Sequence, residues 1–599
     1  MRALLLTLCL VGTAFAETPW QTLLDARKSF VEPVHPASAA SGRHKPDDVG
    51  IYDLQRLEVR FSVPESGLPQ ALAFEVLLEA QMDLDDRLPL LLLHSEALAV
   101  SSEAGVELPF EQIPDTGELL IDLPAPVAAG TPLRLRIEAR LDYDCAGGPS
   151  CSEDGAYTHL AEAGWYPMSL EYPASDRFSL RLDVTSRGPR YPSSIGGLET
   201  DDTGQGVREW RYRSETPLSA IALALVPDEP VIEADDPVQL FGPDPHPPLR
   251  LLLERIAERY EALFGPYPYS RIAITAIPDD ARSAIGPQAN LLIPLSLWHP
   301  PDSLEDETLQ REVISHEFGH QYFFNLVGIT EPAEAWLSEG FAEYASTQFS
   351  LGQTGTDAHL ARNYWGYLTA VAPGADAPLF GLEVRRGPHF FEIVYLKGSV
   401  VLWMLRDTLA PGVFDEALRD YVAAFAGEIA TTAEFIGHLD AYTDVDLDPF
   451  FDRWLFRGGH PRLRVSTSRV GASRELVNLS IEDDTAPPFT GALPVLVHGP
   501  ERAEWIEVDI GGAREVRLGE GGWLDVDPNR TWLRRIRPEP AGDVNLDGVV
   551  DGKDLLDVLA AQGRALPGPD WRDALDVVRD DRIDPADSRA VVDTYGEGD

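Results

Sequence analysis

Between about residues 50 and 226 apolar and polar side chains alternate, as in LEVRFSV, LRLRIEARL, FSLRLDVTS and REWRYR. A period of two places successive side chains on opposite faces of a pleated strand. Such runs between Gly, Pro and Asp clusters therefore predict antiparallel strands. The stretch VPDEPVIEADDPVQLFGPDPHPP interrupts the pattern with prolines and acids and marks a boundary. Beyond it Leu249, Leu252, Leu253, Ile256, Tyr260 and Leu263 recur at helical spacing, and helical patterns dominate to about residue 457. Alternation returns from PRLRVSTSRV to WLDVDPNRTWLRRI, roughly eighty residues that suit a small β-sandwich. A short RPEPAG linker then leads to a tail of different composition.

A chain of 599 residues is too long for one core, so several domains are expected. The charge changes the picture more: 49 basic against 98 acidic side chains give −49, and only Lys28, Lys45, Lys397 and Lys553 are lysines. A field of that sign disfavours nucleic acid and anionic membranes, and suits cation binding or a heavily solvated surface. The start, MRALLLTLCLVGTAFA, has a basic residue, a short apolar run and Ala14-Phe15-Ala16, which predicts a secretory signal over residues 1–16. No later stretch is long and apolar enough to span a membrane, so an exported protein, extracellular or periplasmic, is expected. In that setting the close pair Cys145 and Cys151, in DCAGGPSCSEDG, reads as a small disulfide.

The tail carries DVNLDGVVDGKD. Asp543, Asn545, Asp547, Asp551 and Asp554 fall at positions 1, 3, 5, 9 and 12 of a calcium loop. Gly548 stands where the sharp turn needs it, and Val549 offers its carbonyl at position 7. A second copy, DVVRDDRIDPAD, sets Asp576, Asp580, Asp584 and Asp587 in the same register. It has Val578 at position 3 and Asp581 in the glycine's place, so it is a weaker site for a second ion.

The chemistry is concentrated in HEFGHQYFFNLVGITEPAEAWLSEG. His316 and His320 are one helical turn apart and project from one face, a spacing at which two imidazoles grip one Zn²⁺. Glu317 stands beside them as a base for metal-bound water. Eighteen residues separate His320 from Glu339, and the apolar spacing of Trp336, Phe341 and Tyr344 predicts a second helix carrying it. Two histidines and a glutamate with an open fourth position form a catalytic rather than a structural zinc set.

His316-Glu317-x-x-His320 followed by Glu339 resembles the gluzincin family of aminopeptidase N and leukotriene hydrolase. YEALFGPYPYSRIAITAIP is similar to that family's entry to the catalytic domain, and FFDRWLFRGGHPRLRV to its crossing into a β-sandwich. VYLKGSVVLWMLRD resembles its Tyr-x-Lys-Gly segment, which implies a transition-state role for Tyr395. The resemblance implies a multidomain chain: a β-rich amino-terminal domain (17–235), a thermolysin-like, mostly helical α/β catalytic domain (236–460) and a β-sandwich (461–536). The paired calcium loops resemble a dockerin module (542–599), which implies a cohesin-like partner. One departure stands out. The family's exopeptidases bind the substrate's α-ammonium with the glutamate of Gly-x-Met-Glu-Asn. Here the matching stretch is Gly286, Pro287, Gln288, Ala289 and Asn290, with alanine in the glutamate's place.

The function expected is a secreted zinc metallopeptidase acting on peptide or protein substrates, in the manner of an aminopeptidase. Because alanine cannot pair with an ammonium group, cleavage of internal or blocked peptide bonds stays open as a second reading. A non-catalytic, peptide-holding scaffold that docks through its tail is a third, against which Glu317 and Tyr395 count.

Overall fold

The computed structural model describes residues 52–597 except 65–70, 115, 142–157, 161–163, 170–176, 188, 203–205, 233–235, 244–246, 280–283, 300–302, 330–331, 356, 373–374, 382–386, 471–474 and 565–571. The signal segment, Cys145 and Cys151 lie outside the described residues. The described residues fall into two compact units: those up to 353 together with 412–444, and 354–411 together with 445–597.

In the first unit the alternating stretches form strands. A seven-stranded sheet runs in the order Gly197–Asp202, Val207–Arg213, Ser179–Arg187, Tyr52–Ser62, Leu72–Ala80, Pro132–Leu141 and Ser95–Ser102. Neighbours are antiparallel apart from Tyr52–Ser62 and Ser179–Arg187, which pair in parallel with Leu57 opposite Leu180. Along Ser179–Arg187 every second residue is buried, as period-two patterning requires. Leu57, Val59, Leu78, Ile137, Leu182 and Trp210 meet in the core behind that face.

The strands Val238–Phe241, Ile272–Ile277 and Asn290–Pro294 form a parallel three-stranded sheet, each buried throughout. The Pro- and acid-rich boundary stretch thus contains a strand, and two more lie within the region of helical patterning. Strands covered on both faces show no alternation, so periodicity does not separate them from buried helix. The helices Pro247–Phe264, Leu304–Gly319 and Glu339–Thr354 complete this part, with Thr432–Leu439 closed by a capping box of Thr431 and Glu434.

In the second unit, Ala358–Ala370 packs on a π-helical segment, Phe391–Lys397, that continues into Gly398–Thr408. Two sheets follow. One runs Gly512–Arg517, Leu476–Asp483, Arg462–Arg469, Arg535–Glu539, and the other Ala503–Asp509, Ala492–His498, Trp523–Val526. Val465, Leu479, Ile481, Leu493 and Val495 fill the space between them, and Leu546 of the tail belongs to the same core. The tail helices Gly552–Ala561 and Pro585–Asp593 each begin with a capping box, Asp551 with Asp554 and Asp584 with Asp587. The tail is bound to the sandwich by polar contacts as well. Thr467 donates to Asp543, Asp573 accepts from Arg535 and from the Ile536 N–H, and Arg579 donates to the Ile536 carbonyl.

Candidate metal centre

The helix Leu304–Gly319 starts at Ser303, whose hydroxyl accepts the Asp306 N–H, and three acids in its first turn favour the positive end of its dipole. From Leu309 to Gly319 nearly every residue is buried, so the helix has no polar face for periodicity to reveal. His316 projects from its last turn, and His320 follows as the capping residue. Glu339 opens the next helix.

These three side chains converge. Glu339 Oε2 lies 3.4 Å from His316 Nε2 and 3.2 Å from His320 Nε2, and one ligand atom from each falls within 4.8 Å of the others. The opposite ring nitrogens have their own partners: His316 Nδ1 is 3.1 Å from Glu343 Oε2, and His320 Nδ1 is 3.1 Å from the Phe323 carbonyl. Protons on Nδ1 leave both Nε2 lone pairs facing Glu339, the tautomer a metal ligand needs. Two imidazoles and a carboxylate so oriented fit zinc.

The electrostatics agree. Burial acts to lower the pKa of His316, but hydrogen bonds with Glu339 and Glu343 outweigh it and raise it to about 9. Burial likewise opposes the charge of His320, and Glu339 reverses the shift. Burial pushes the Glu339 carboxyl up, yet the two histidines hold it well below the usual carboxylate range. The pocket is therefore built to share positive charge. Glu317 is buried on the same helix, and burial raises its carboxyl pKa, a rise that the charges of His316 and His320 oppose.

Gly286 packs so tightly on this turn that a Cβ there would collide with the Glu317 carbonyl oxygen. The Pro287 carbonyl accepts from Gln321 Nε2. Gln288 is wholly buried and engages the Glu215 N–H and Thr216. Asn290, also buried, exchanges hydrogen bonds with Thr275, Ser193 and Ser194. Ala289 between them has φ 56°, a conformation unusual for a non-glycine residue and found at strained sites. Phe324 has φ 102°, and its ring stands 6.4 Å from that of His320 at 77°.

Tyr395 belongs to the second unit. It is buried in the π-helical turn against Phe390 and Phe391, and π-turns recur at functional sites. Two residues on, buried Lys397 pairs with Asp376 at 3.1 Å, and Asp376 also accepts from Tyr367 and the Gly459 N–H. In the tail, Asp543, Asn545, Asp547 and Asp554 are buried around the first loop, with Gly548 at φ 86°. Asp551 is the N-cap of the following helix and the Val549 N–H donates to Asp547. Burial pushes Asp543 up to about 6 and Asp554 to about 7. In the second loop Asp576 accepts three successive N–H groups and is pushed up to about 6, Asp587 accepts from Val578, and the Asp580 carboxylate accepts the Arg582 N–H. Asp581, in the glycine's place, adopts φ 61°.

Glu343, Gln321 and Asn325 support the centre although no motif marks them. Only the spacing of Glu343, four residues after Glu339 and hence on the same helix face, carried a signal.

Residues 251–454 match the peptidase family M1 domain. Aminopeptidase N of Rattus norvegicus is 26% identical over 255 residues, covering 37% of this chain and 26% of that protein. Leucyl aminopeptidase of Saccharolobus solfataricus is 25% identical over 239 residues, covering 37% and 30%. The matched stretch thus spans about a quarter to a third of these relatives' length. A two-domain M1 zinc metallopeptidase bound to L-arginine superposes with a TM-score of 0.57 at 20% identity, covering 68% of this chain and 95% of that one. An M1 zinc metallopeptidase mutant from Deinococcus radiodurans bound to Tyr-Ser-Ala gives 0.55 at 19%, covering 68% and 94%. These likenesses establish the β-rich amino-terminal part and helical catalytic part as a shared fold.

Proposed function

We propose that this chain is a zinc peptidase that hydrolyses peptide bonds, with an aminopeptidase-like active site. The observation that carries the reading is the convergence of His316 Nε2, His320 Nε2 and Glu339 Oε2, with Glu317 beside them. Zinc held by these residues would lower the pKa of a bound water and polarise the scissile carbonyl. Glu317 accepts the water's proton and passes it to the leaving amine, a task suited to a carboxyl whose pKa burial has raised. Tyr395 donates a hydrogen bond to the oxyanion as negative charge develops, a role supported by its Tyr-x-Lys-Gly setting.

Removal of amino-terminal residues is the first reading. Ala289 favours a second, cleavage of internal or amino-blocked peptides, because its side chain offers no carboxylate for an ammonium group. Holding peptides without cleaving them leaves Glu317 without a use. The chain is exported, the first tail loop binds calcium through its oxygen ligands, and the tail meets a cohesin-like partner. The loop composition and the amino-terminal sequence support these parts of the proposal. Digestion of a mixed peptide library, with products sequenced by mass spectrometry, tests the reading. Zinc-dependent products trimmed from free amino-termini support aminopeptidase action, internal cuts support the second reading, and an absence of products contradicts both.

A further inference from the structure

We infer that Arg177, from the β-rich amino-terminal part, is a positioning residue for the metal centre, acting through Asn325 and Gly286 on Glu317. The inference rests on the peptidase reading above. Arg177 lies just before the strand Ser179–Arg187. Its Nη2 donates to the carbonyls of Pro217 at 2.6 Å and Asn325 at 2.5 Å, and its Nη1 to that of Phe324 at 3.4 Å. Among the described residues its hydrogen bonds all go to backbone carbonyls, and it forms no ion pair with a carboxylate.

The guanidinium sits so close over Gly328 that a Cβ there would collide with Nη1. Gly328 itself is fixed in a parallel pair with Ile429. A half-buried guanidinium whose fork is spent on several carbonyls fixes the position of those carbonyls. The loop it holds is irregular: Phe324 keeps φ 102°, with its N–H donating to the Val327 carbonyl at 2.8 Å.

From this loop the connection to the base is short. Asn325 Nδ2 donates at 2.7 Å to the carbonyl of His320 and at 2.7 Å to that of Gly286. Gly286 lies against the Glu317 backbone, so close that a Cβ there would collide with the Glu317 carbonyl oxygen. A loop that shifts without Arg177 would carry Asn325 away from Gly286 and loosen the packing that fixes the Glu317 backbone. The ligands His316, His320 and Glu339 take no hydrogen bond from Arg177, so metal affinity is not what it sets.

The test uses the full-length, zinc-loaded enzyme with one peptide substrate, measuring kcat, KM, zinc content and thermal melting. The variants are Arg177→Lys, Gly328→Ala, Asn325→Ala and the Arg177→Lys/Asn325→Ala double. Lysine keeps the charge but lacks the fork that spans several carbonyls. Each single variant is expected to keep its zinc and its melting transition, to hold KM within about twofold, and to lose about tenfold to a hundredfold in kcat. The double should be no slower than the slower single, since both break one connection. Unchanged kcat in Arg177→Lys, losses that multiply in the double, or losses that track zinc or folded protein would each overturn the inference. A wild-type enzyme that hydrolyses no peptide would overturn the peptidase reading and this one with it. Wild-type turnover with indifferent variants overturns only the role of Arg177.

Discussion

The backbone N–H of Ala289 donates to the side-chain carbonyl of Gln321 at 2.8 Å, which ties the start of the strand Asn290–Pro294 to the residue after His320. Ala289 is thereby held at φ 56°, wholly buried, with a methyl group where a carboxylate would bind an ammonium. A charge-assisted hydrogen bond of that kind contributes about 1.5–3 kcal/mol, or roughly tenfold to a hundredfold in preference for a free amine. The enzyme is therefore expected to discriminate weakly between free and amino-acetylated versions of one peptide. Ala289→Glu should strengthen the preference and melt at lower temperature, because the added carboxylate is buried. Comparing kcat/KM for both peptides with both proteins checks this. Exclusive cleavage of the free peptide by the wild type would mean that another carboxylate anchors the amine.

Glu343 fixes the His316 ring through Nδ1, so it should matter for the metal without touching it. Glu343→Gln is expected to weaken zinc affinity by about tenfold to a hundredfold. His316→Ala, His320→Ala and Glu339→Ala should lose the metal outright. Competition with a calibrated chelator measures all four. Equal affinity in Glu343→Gln and wild type would show that the ring is oriented by other means.

Tyr395→Phe should lower kcat rather than raise KM, by about 2.7–4 kcal/mol of transition-state stabilisation if the phenol acts as an oxyanion donor. Steady-state kinetics on folded protein measure it. An unchanged kcat would assign the ring a packing role beside Phe390 and Phe391.

The tail gives a pH dependence of definite sign. Asp543 and Asp554 ordinarily titrate at 3.8, and without an ion burial raises them to about 6 and about 7. The folded state then holds protons that the unfolded chain releases. Its stability is complete below about pH 4 and declines as pH rises through 6 to 7. Calcium bound by the loop would reverse this, because it would be held by the charged carboxylates. Melting of the second unit without calcium should therefore be lower at pH 8 than at pH 5, and calcium should raise it most at pH 8. Deleting residues from 540 onward should also lower that transition, since Leu546 leaves the sandwich core. Calcium-independent melting at pH 8 would contradict the site.

The zinc set was legible because its chemistry fixes residue types at fixed spacings. His316, Glu317, His320 and Glu339 announce themselves although their helix is buried all round and shows no amphipathic period. The alternating strands were legible for the opposite reason, since one face is wet. Ile272–Ile277 and Asn290–Pro294 were not, because strands covered on both faces look like any buried run. Arg177 was illegible in principle. Its partners are carbonyls, which every residue has, and Pro217 and Phe324 are brought to it only by tertiary folding. The packing of Leu546 into the sandwich was hidden in the same way by a linker-like RPEPAG sequence.

Glu317→Gln decides whether Glu317 is the base at the zinc centre. The amide preserves size and leaves His316, His320 and Glu339 in place but cannot accept the water's proton. The measurement is zinc content and kcat on the same preparation. One bound zinc and loss of nearly all turnover are expected. A variant with its zinc and near-native kcat would contradict that role.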